Sequence, residues 1–307
     1  MTPSHPIWVA NAPCSYGAFE IGEPGGPSGL ELLQLVADAG YAGIDLGPVG
    51  LLGDATTIAA ALRNHGLALA GGWIQLPFAA VGIEAHRVAL DAVLTIFDAA
   101  RTAAPDAPPP RPTLADAGAP QRRGMAPGRA ARDHSLGLDA AGWETLCHGV
   151  EWAVGICRAR GYEPAFHPHI ATWVEAPWEI DMVMSGTSAS LCMDPGHLLT
   201  GGDSVAALLG RWGDRIAQVH MKDVRGDIVT AVRDAGGDAL DVWKREAFSR
   251  FGEGDVDIPG TIATLRERGY AGWIVVEQDV LPVRDGFLER AAADQQYNRE
   301  VLSGFGI

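Results

Sequence analysis

The sequence predicts an α/β protein that folds as a single (β/α)8 barrel. Short apolar runs alternate with longer amphipathic ones along the whole chain, which is the pattern of strands and helices that build a parallel sheet. Eight such strand–helix pairs follow one another, a number that a barrel requires and that a doubly wound sheet rarely holds. The length of 307 residues suits one barrel domain over residues 1–307.

The predicted strands are apolar runs that stop at polar residues or glycine, and several predicted helices stop at a glycine such as Gly40, Gly66 or Gly161, the usual residue after a helix end. The predicted strands cover residues 7–11, 43–46, 67–75, 111–116, 163–167, 190–194, 215–222 and 272–278. The predicted helices cover residues 30–39, 55–65, 84–100, 140–160, 178–184, 205–211, 259–268 and about 286–302.

Two long segments interrupt this alternation, at about 103–135 and 224–254. The first is rich in Pro, Ala, Gly and Arg and brackets the fourth strand; a partly disordered loop is the alternative interpretation of it. The second separates the seventh strand from its helix. Because long connections at the carboxyl end of barrel strands surround the active site, we expect the second segment to form a lid or rim.

The composition argues against several classes of protein. A formal charge of −15 repels phosphate backbones, so we expect no nucleic-acid partner. No apolar run reaches 18 residues and the amino terminus lacks a leader pattern, so we expect no membrane association and a cytoplasmic location. The four scattered cysteines predict reduced thiols, and glycine-rich nucleotide motifs are missing. The formation of a homo-oligomer stays open.

Polar residues follow strands five to eight at the point where each strand ends. Barrel geometry directs neighbouring strand ends at one centre, where buried polar groups would be costly without a compensating cation. One residue per strand gives a mixed nitrogen and oxygen set without thiolate, which suits Mn²⁺ or Co²⁺ first and also Fe²⁺, Zn²⁺ or Mg²⁺. The predicted metal ligands are His167, Asp194, His220 and Glu277.

Three further polar residues of these strand ends are candidates for catalysis. His169 and His197 lie two or three residues from predicted ligands, so either could act as a base. Lys222 would share the face of His220 on a strand, where it either meets a reacting oxygen or pairs with a carboxylate. His169 could also take the ligand role in place of His167.

The first half of the chain carries weaker signals for substrate binding. Glu20 follows the first strand, Trp73 and Gln75 close the third, and Asp116 closes the fourth. Trp73 is equally plausible as a rim residue and as an apolar platform beneath a sugar ring, and Glu20 as a substrate contact or a solvated side chain.

Several segments resemble the xylose-isomerase-like TIM barrel superfamily of sugar phosphate isomerases and epimerases, and within it inosose (2-keto-myo-inositol) dehydratase. The resemblance implies ligands from strands five to eight, usually Glu, Asp, His and Glu. Asp194, His220 and Glu277 match the last three positions, while His167 departs from the first, a departure shared with the dehydratase branch. The matching segments are GYAGIDLGP (40–48), FHPHIATWVE (166–175), MDPGHLLTGGD (193–203), QVHMKDVR (218–225), FGEGDVDIPG (251–260) and GYAGWIVVEQD (269–279).

The resemblance and the site together predict a metal-dependent lyase, a dehydratase acting on a small keto-sugar or keto-inositol through an enediolate. A sugar isomerase or ketose epimerase using the same metal site is the main alternative, and β-elimination from a 3-keto-glycoside is a further one. A nuclease of this fold would need more ligands and a basic groove, which the acidic composition disfavours. A sugar-binding barrel without catalysis would lack the bound metal.

Overall fold

The structure, a computed structural model, describes residues 7–19 and 26–307 and contains ten strands within them. Eight belong to one sheet and two short ones form a separate ribbon. The strands are β1 (Ile7–Asn11), β2 (Gly43–Asp45), β3 (Ala68–Leu76), β4 (Arg111–Asp116), β5 (Ala165–Phe166), β6 (Ser190–Met193), β7 (Ile216–Met221), β8 (Asp223–Val224), β9 (Phe248–Ser249) and β10 (Gly272–Val276).

Twelve α-helices and four short 3-10 helices connect these strands within the described part of the chain. The α-helices are α1 (Gly29–Asp38), α2 (Ile58–His65), α3 (Arg87–Arg101), α4 (Pro120–Arg123), α5 (Ala140–Ala159), α6 (Pro177–Gly186), α7 (Pro195–Gly201), α8 (Val205–Trp212), α9 (Gly226–Asp234), α10 (Ala239–Lys244), α11 (Ile258–Glu267) and α12 (Phe287–Gly304). The 3-10 helices are Pro13–Tyr16, Ile83–His86, His134–Leu136 and Gly213–Arg215.

The eight sheet strands close in the order β1-β10-β7-β6-β5-β4-β3-β2, and every pair is parallel, so the predicted (β/α)8 barrel is confirmed. Side chains alternate along each strand between the barrel interior and the surrounding helices. On β7, for example, Val219 and Met221 belong to the large apolar core, whereas Gln218 is buried and receives a hydrogen bond from Thr113 of β4 at 2.8 Å. The same alternation turns His220 inward.

The structure differs from the predicted elements mainly at the carboxyl ends of the strands. Four strands stop before polar residues that were predicted to lie inside them: β5 ends before His167, β6 before Asp194, β7 before Lys222 and β10 before Glu277. These polar groups lie close together where the chain leaves the sheet. Asp194, which was predicted to end the sixth strand, is instead the N-cap of α7, a helix that the sequence did not predict.

The two long segments are folded. Residues 117–139 follow β4 at the carboxyl end of the barrel and include α4, so the reading of the first segment as a partly disordered loop does not apply there. Residues 224–254 contain α9, α10 and β9, which pairs with β8 at antiparallel register. The assignment of residues 1–307 to a single domain stays a prediction.

Three buried charged residues fix these connections. The Arg122 guanidinium of α4 contacts both oxygens of Glu179 on α6 at 2.8 and 3.0 Å, and both side chains are buried. Glu175 accepts the amides of Gly128 and Ala171 at 2.6 and 3.0 Å. These bonds tie the connection after β4 to the one after β5, which carries His169.

Candidate metal centre and active site

The four predicted metal ligands meet at the carboxyl ends of neighbouring strands. His167 and Asp194 directly follow β5 and β6, His220 is the next-to-last residue of β7, and Glu277 directly follows β10. Backbone bonds fix two of these ends, since His167 donates to the Leu114 carbonyl at 2.7 Å and Glu277 to that of Met221 at 3.0 Å. One nitrogen or oxygen from each of the four residues lies within 4.8 Å of the others.

Several polar atoms that face this centre make no well-formed hydrogen bond among the described residues, although His220 Nδ1 lies 3.1 Å from Glu277 Oε1 and Asp194 Oδ2 lies 3.4 Å from Lys222 Nζ. They are His167 Nε2, Asp194 Oδ2 and both ring nitrogens of His220. The other nitrogen of His167, Nδ1, lies 2.8 Å from the Pro168 carbonyl, which fixes the proton there and leaves Nε2 as a lone-pair donor. Orphaned buried acceptors are costly, and this convergent set fits a divalent cation.

The charge of the cluster points the same way. Lys222 is buried, with Nζ 2.9 Å from Glu277 Oε2, 3.1 Å from Asp279 Oδ2 and 3.4 Å from Asp194 Oδ2. With neutral histidines, as metal ligands must be, three carboxylates face one ammonium. The deficit of two positive charges equals the charge of one divalent ion.

The surroundings hold Lys222 in its charged form. Burial opposes the ammonium, but the attraction of Asp194, Asp279 and Glu277 outweighs burial and raises the pKa of Lys222 well above its usual value. Of the two alternatives that the sequence left open for this lysine, pairing with carboxylates describes its contacts.

His197 and His169 form a neutral pair beside the ligands, with ring centroids 4.0 Å apart. Because the Lys222 ammonium can only donate, its 2.9 Å contact with His197 Nε2 requires the proton of that ring to sit on Nδ1. Burial, followed by the neighbouring positive charges, lowers the pKa of His169 to about 3 and that of His197 well below its usual value. Both imidazoles are therefore uncharged at neutral pH. The Nε2 lone pair of His197 is taken by Lys222, whereas His169 donates Nδ1 to the Ile170 carbonyl at 2.7 Å and keeps Nε2 as an acceptor.

A cavity of about 490 Å³ opens beside His169, at the carboxyl end of the barrel. Gln75 of β3 and Trp243 of α10 line it, together with Arg123 of α4. Trp73 lies below this rim and makes edge contacts with the rings of His167 and His169 at 5.3 and 5.1 Å. The cavity makes His169 accessible from the carboxyl end of the barrel.

The remaining substrate-binding predictions fare differently. Asp116 is buried, and its Oδ2 accepts the amides of Gly118 at 2.8 Å and Trp173 at 3.2 Å, so this oxygen holds backbone. Glu20 lies outside the described residues. Direct substrate contact stays a prediction for all of these residues.

Three residues near the site had no predicted role. Asp279 accepts from Lys222 at 3.1 Å and from the Trp243 indole at 3.3 Å. Trp243 also stacks on His169, with ring centroids 6.3 Å apart, which brings the second long segment to the rim of the site. Cys14 offers its sulfur within 4.8 Å of oxygens of Glu277 and Asp279. The strand-end motif at 277–279 was a usable signal for Asp279, whereas no motif marked Trp243 or Cys14.

Within residues 7–19 and 26–307, none of the helices has the length and apolar character that crossing a membrane demands.

Comparison with known proteins finds relatives that include a rhizopine catabolism protein and inosose dehydratases. Rhizopine catabolism protein MocC of Rhizobium meliloti is 31% identical over 283 residues, which cover 90% of this chain and 82% of that protein. Inosose dehydratase of Geobacillus kaustophilus is 39% identical over 143 residues, 46% of each chain. The matched region therefore spans about half of that dehydratase.

Among solved structures, the probable 3-DHS dehydratase AsbF of Bacillus anthracis superimposes with a TM-score of 0.66 at 12% identity, covering 96% of this chain and 98% of that one. At this identity the likeness concerns the fold. The prediction that the chain is an enzyme is confirmed. The family model described as Xylose isomerase-like TIM barrel matches residues 33–297, and the chain belongs to that family, as its strand-end motifs indicated.

Proposed function

We propose that the protein is a metal-dependent hydro-lyase that removes water from a small keto-polyol or keto-sugar, in the manner of an inosose dehydratase. The observation that carries this proposal is the set of buried, unpartnered ligand atoms of His167, Asp194 and His220, which converge next to a neutral imidazole on the wall of a cavity. The relatives named inosose dehydratase support the substrate class.

His167, Asp194, His220 and Glu277 would hold the ion. When bound, a divalent cation supplies Lewis-acid polarisation of a ketone and its neighbouring hydroxyl. Two imidazoles and two carboxylates without thiolate favour Mn²⁺ or Co²⁺, with Fe²⁺, Zn²⁺ and Mg²⁺ as further candidates. As the N-cap of α7, Asp194 uses one carboxylate oxygen to accept the His197 amide, and its other oxygen stays available to the metal centre.

His169 is the base that this arrangement favours, because it lies on the cavity wall whereas His197 is buried behind it. The neutral ring accepts the proton from the carbon next to the ketone. The electron pair of the broken C–H bond forms the new C=C bond as the bond to the β-hydroxyl breaks. The imidazolium then returns its proton to the departing hydroxyl, which leaves as water.

The identity of the first ligand favours elimination over epimerisation. Epimerases and isomerases of this superfamily use a glutamate at that position for proton transfer as well as for binding metal. The imidazole of His167 has Nδ1 engaged by the Pro168 carbonyl, so only Nε2 remains, and that atom faces the centre. His167 therefore offers no second proton-exchanging group beside the ligands.

The test is product analysis with the Mn²⁺-loaded protein and 2-keto-myo-inositol in D₂O. We expect loss of one water and a new ultraviolet-absorbing conjugated ketone. Products that gain deuterium but keep the mass of the substrate would assign the site to an isomerase or epimerase instead. Release of an aglycone from a 3-keto-glycoside, with no reaction of the keto-inositol, would assign it to β-elimination of a larger group.

A further inference from the structure

A second set of potential metal ligands adjoins the first. His169, His197 and Asp279 each offer one nitrogen or oxygen within 4.8 Å of the others. In two of them the atom nearest the centre already has a partner, since Lys222 Nζ lies 2.9 Å from His197 Nε2 and 3.1 Å from Asp279 Oδ2. The ammonium therefore lies on the atoms that a second cation would bind.

Lys222 also touches the first ligand set. Its nitrogen is 2.9 Å from Glu277 Oε2 and 3.4 Å from Asp194 Oδ2, so three carboxylates and one imidazole surround a single buried ammonium. Oxygen and nitrogen atoms surround the ammonium as they would surround a bound cation. Here a side chain supplies that cation. Glu277 is shared, because its other oxygen, Oε1, lies 3.1 Å from His220 Nδ1.

The residue type supports this interpretation. The chain has only two lysines, Lys222 and Lys244, and uses arginine for every other permanent positive charge on its side chains. An ammonium is a compact point charge, whereas the planar guanidinium needs a wider, flat set of acceptors. A lysine at 222 is thus the cationic residue that can replace a metal ion.

Charge counting limits the native centre to one ion. One divalent cation together with the Lys222 ammonium balances Asp194, Glu277 and Asp279 when the histidines are neutral. A second divalent ion added to that set would leave two uncompensated positive charges in a buried site, which is strongly unfavourable. Loss of the ammonium would leave one uncompensated negative charge and three vacant ligands.

We propose that the Lys222 ammonium occupies a second cation position, restricts the native centre to one divalent ion, and that its removal opens a second divalent site on His169, His197 and Asp279. This inference rests on the proposed metal centre. If Lys222 fills the second position, the native protein cannot hold two metal ions roughly 3.5–4 Å apart, the arrangement that many phosphoester hydrolases use.

The experiment is metal stoichiometry of the full-length protein, equilibrated with Mn²⁺, desalted and measured by plasma mass spectrometry. We expect one equivalent in the native protein, two in Lys222→Ala, and one in the matched control Lys244→Ala, which removes the other, exposed lysine. The double variant Lys222→Ala/Asp279→Asn should return to one. Electron paramagnetic resonance should show coupled Mn²⁺ ions in Lys222→Ala alone.

The outcomes separate this inference from the proposed function. One equivalent in Lys222→Ala at saturating Mn²⁺, or two in the native protein, would overturn the role of Lys222 and leave the metal centre intact. Native protein that binds none would overturn the metal centre itself. Should Lys222→Ala fail to fold, Lys222→Gln removes the charge with less loss of volume and carries the same expectation of a second ion.

Discussion

The two halves of the barrel handle their buried carboxylates in different ways. In the first half, Asp116 at the end of β4 uses Oδ2 to accept two backbone amides, and burial raises its pKa. In the second half, Asp194 after β6 gives one oxygen to the amide of His197 and turns the other to the centre without a hydrogen bond. Although burial opposes ionisation, the pKa of Asp194 is lowered, and the attraction of the Lys222 ammonium is the largest influence in that direction.

The two halves of the barrel therefore contribute different things: the second half supplies the charged ligand atoms, and the first half supplies uncharged side chains around them. The strand ends of β5, β6, β7 and β10 adjoin one another in the sheet and bring all four predicted ligands together. The strand end of β3 in the other half contributes the ring of Trp73 and the amide of Gln75 to the rim. The oxygen of Asp116 that accepts backbone amides is used to hold the chain, while Asp194 keeps an oxygen available for the proposed metal ion.

The largest effect expected from this division follows removal of a second-half ligand. His220→Ala should abolish metal binding and lower activity by about a thousandfold, since about 4 kcal/mol of transition-state stabilisation is a reasonable share for a Lewis-acid metal. Elemental analysis and turnover measure both. His148→Ala, on the exposed side of α5, is the control. A His220→Ala protein with full metal content would break the comparison.

The next largest effect is expected on stability, at the buried ion pair that joins the connection after β4 to α6. Arg122→Met leaves the buried carboxylate of Glu179 without its cation, and breaking such a pair costs about 3–5 kcal/mol of the free energy of unfolding. The adjacent exposed Arg123→Ala should cost much less. Urea denaturation measures the difference.

If Arg122→Met is too unstable to purify, the double variant Arg122→Met/Glu179→Gln tests the contribution of the ion pair to stability. The carboxylate of Glu179 accepts the backbone amides of Glu175 and Ala176, and the side-chain oxygen of a glutamine at this position would still accept them. Because no buried charge is then left unpaired, the double variant should be more stable than Arg122→Met. Equal stability of the two proteins would show that the ion pair itself is not what holds the connections together.

The sequence predicted the second half better than the first for a physical reason. A polar residue after an apolar strand is visible in one dimension, so Asp194, His220 and Glu277 could be found from spacing alone. Trp243 could not, because it reaches His169 through the folding of α9 and α10, which brings a distant segment over the barrel. The same limit hid the contact between Arg122 and Glu179, which are 57 residues apart.

A carboxylate inside the first half tests the electrostatic side of the comparison. Burial, with a smaller contribution from the carboxylate of Glu277, raises the pKa of Asp45 from 3.8 to about 6. The native state therefore holds this proton more tightly than the unfolded chain. The contribution of this proton to the free energy of unfolding is fully present below about pH 4 and is lost as the pH rises through 6. At neutral pH the loss amounts to up to about 3 kcal/mol.

Asp45→Asn should remove that pH dependence. In metal-free protein, we expect the variant to be more stable than the native chain by about 1–3 kcal/mol at pH 8, and by much less at pH 4.5. Denaturant titrations at the two pH values measure the change, with the exposed Asp106→Asn as control. A gain that is the same at both pH values would mean that Asp45 stays ionised throughout and that the buried carboxylates of the two halves are alike.

The smallest effect should come from the rim of the first half. Trp73→Ala removes a ring that contacts His167 and His169 at their edges but supplies no ligand atom. We expect KM to rise by about tenfold, equivalent to about 1.4 kcal/mol of lost apolar contact, while metal content stays at the native level. Trp152→Ala, which truncates a half-buried tryptophan on α5, should leave KM unchanged. Loss of metal from Trp73→Ala would show that the first half helps to hold the ion by orienting His167, so that shape and charge are not divided between the halves of this barrel.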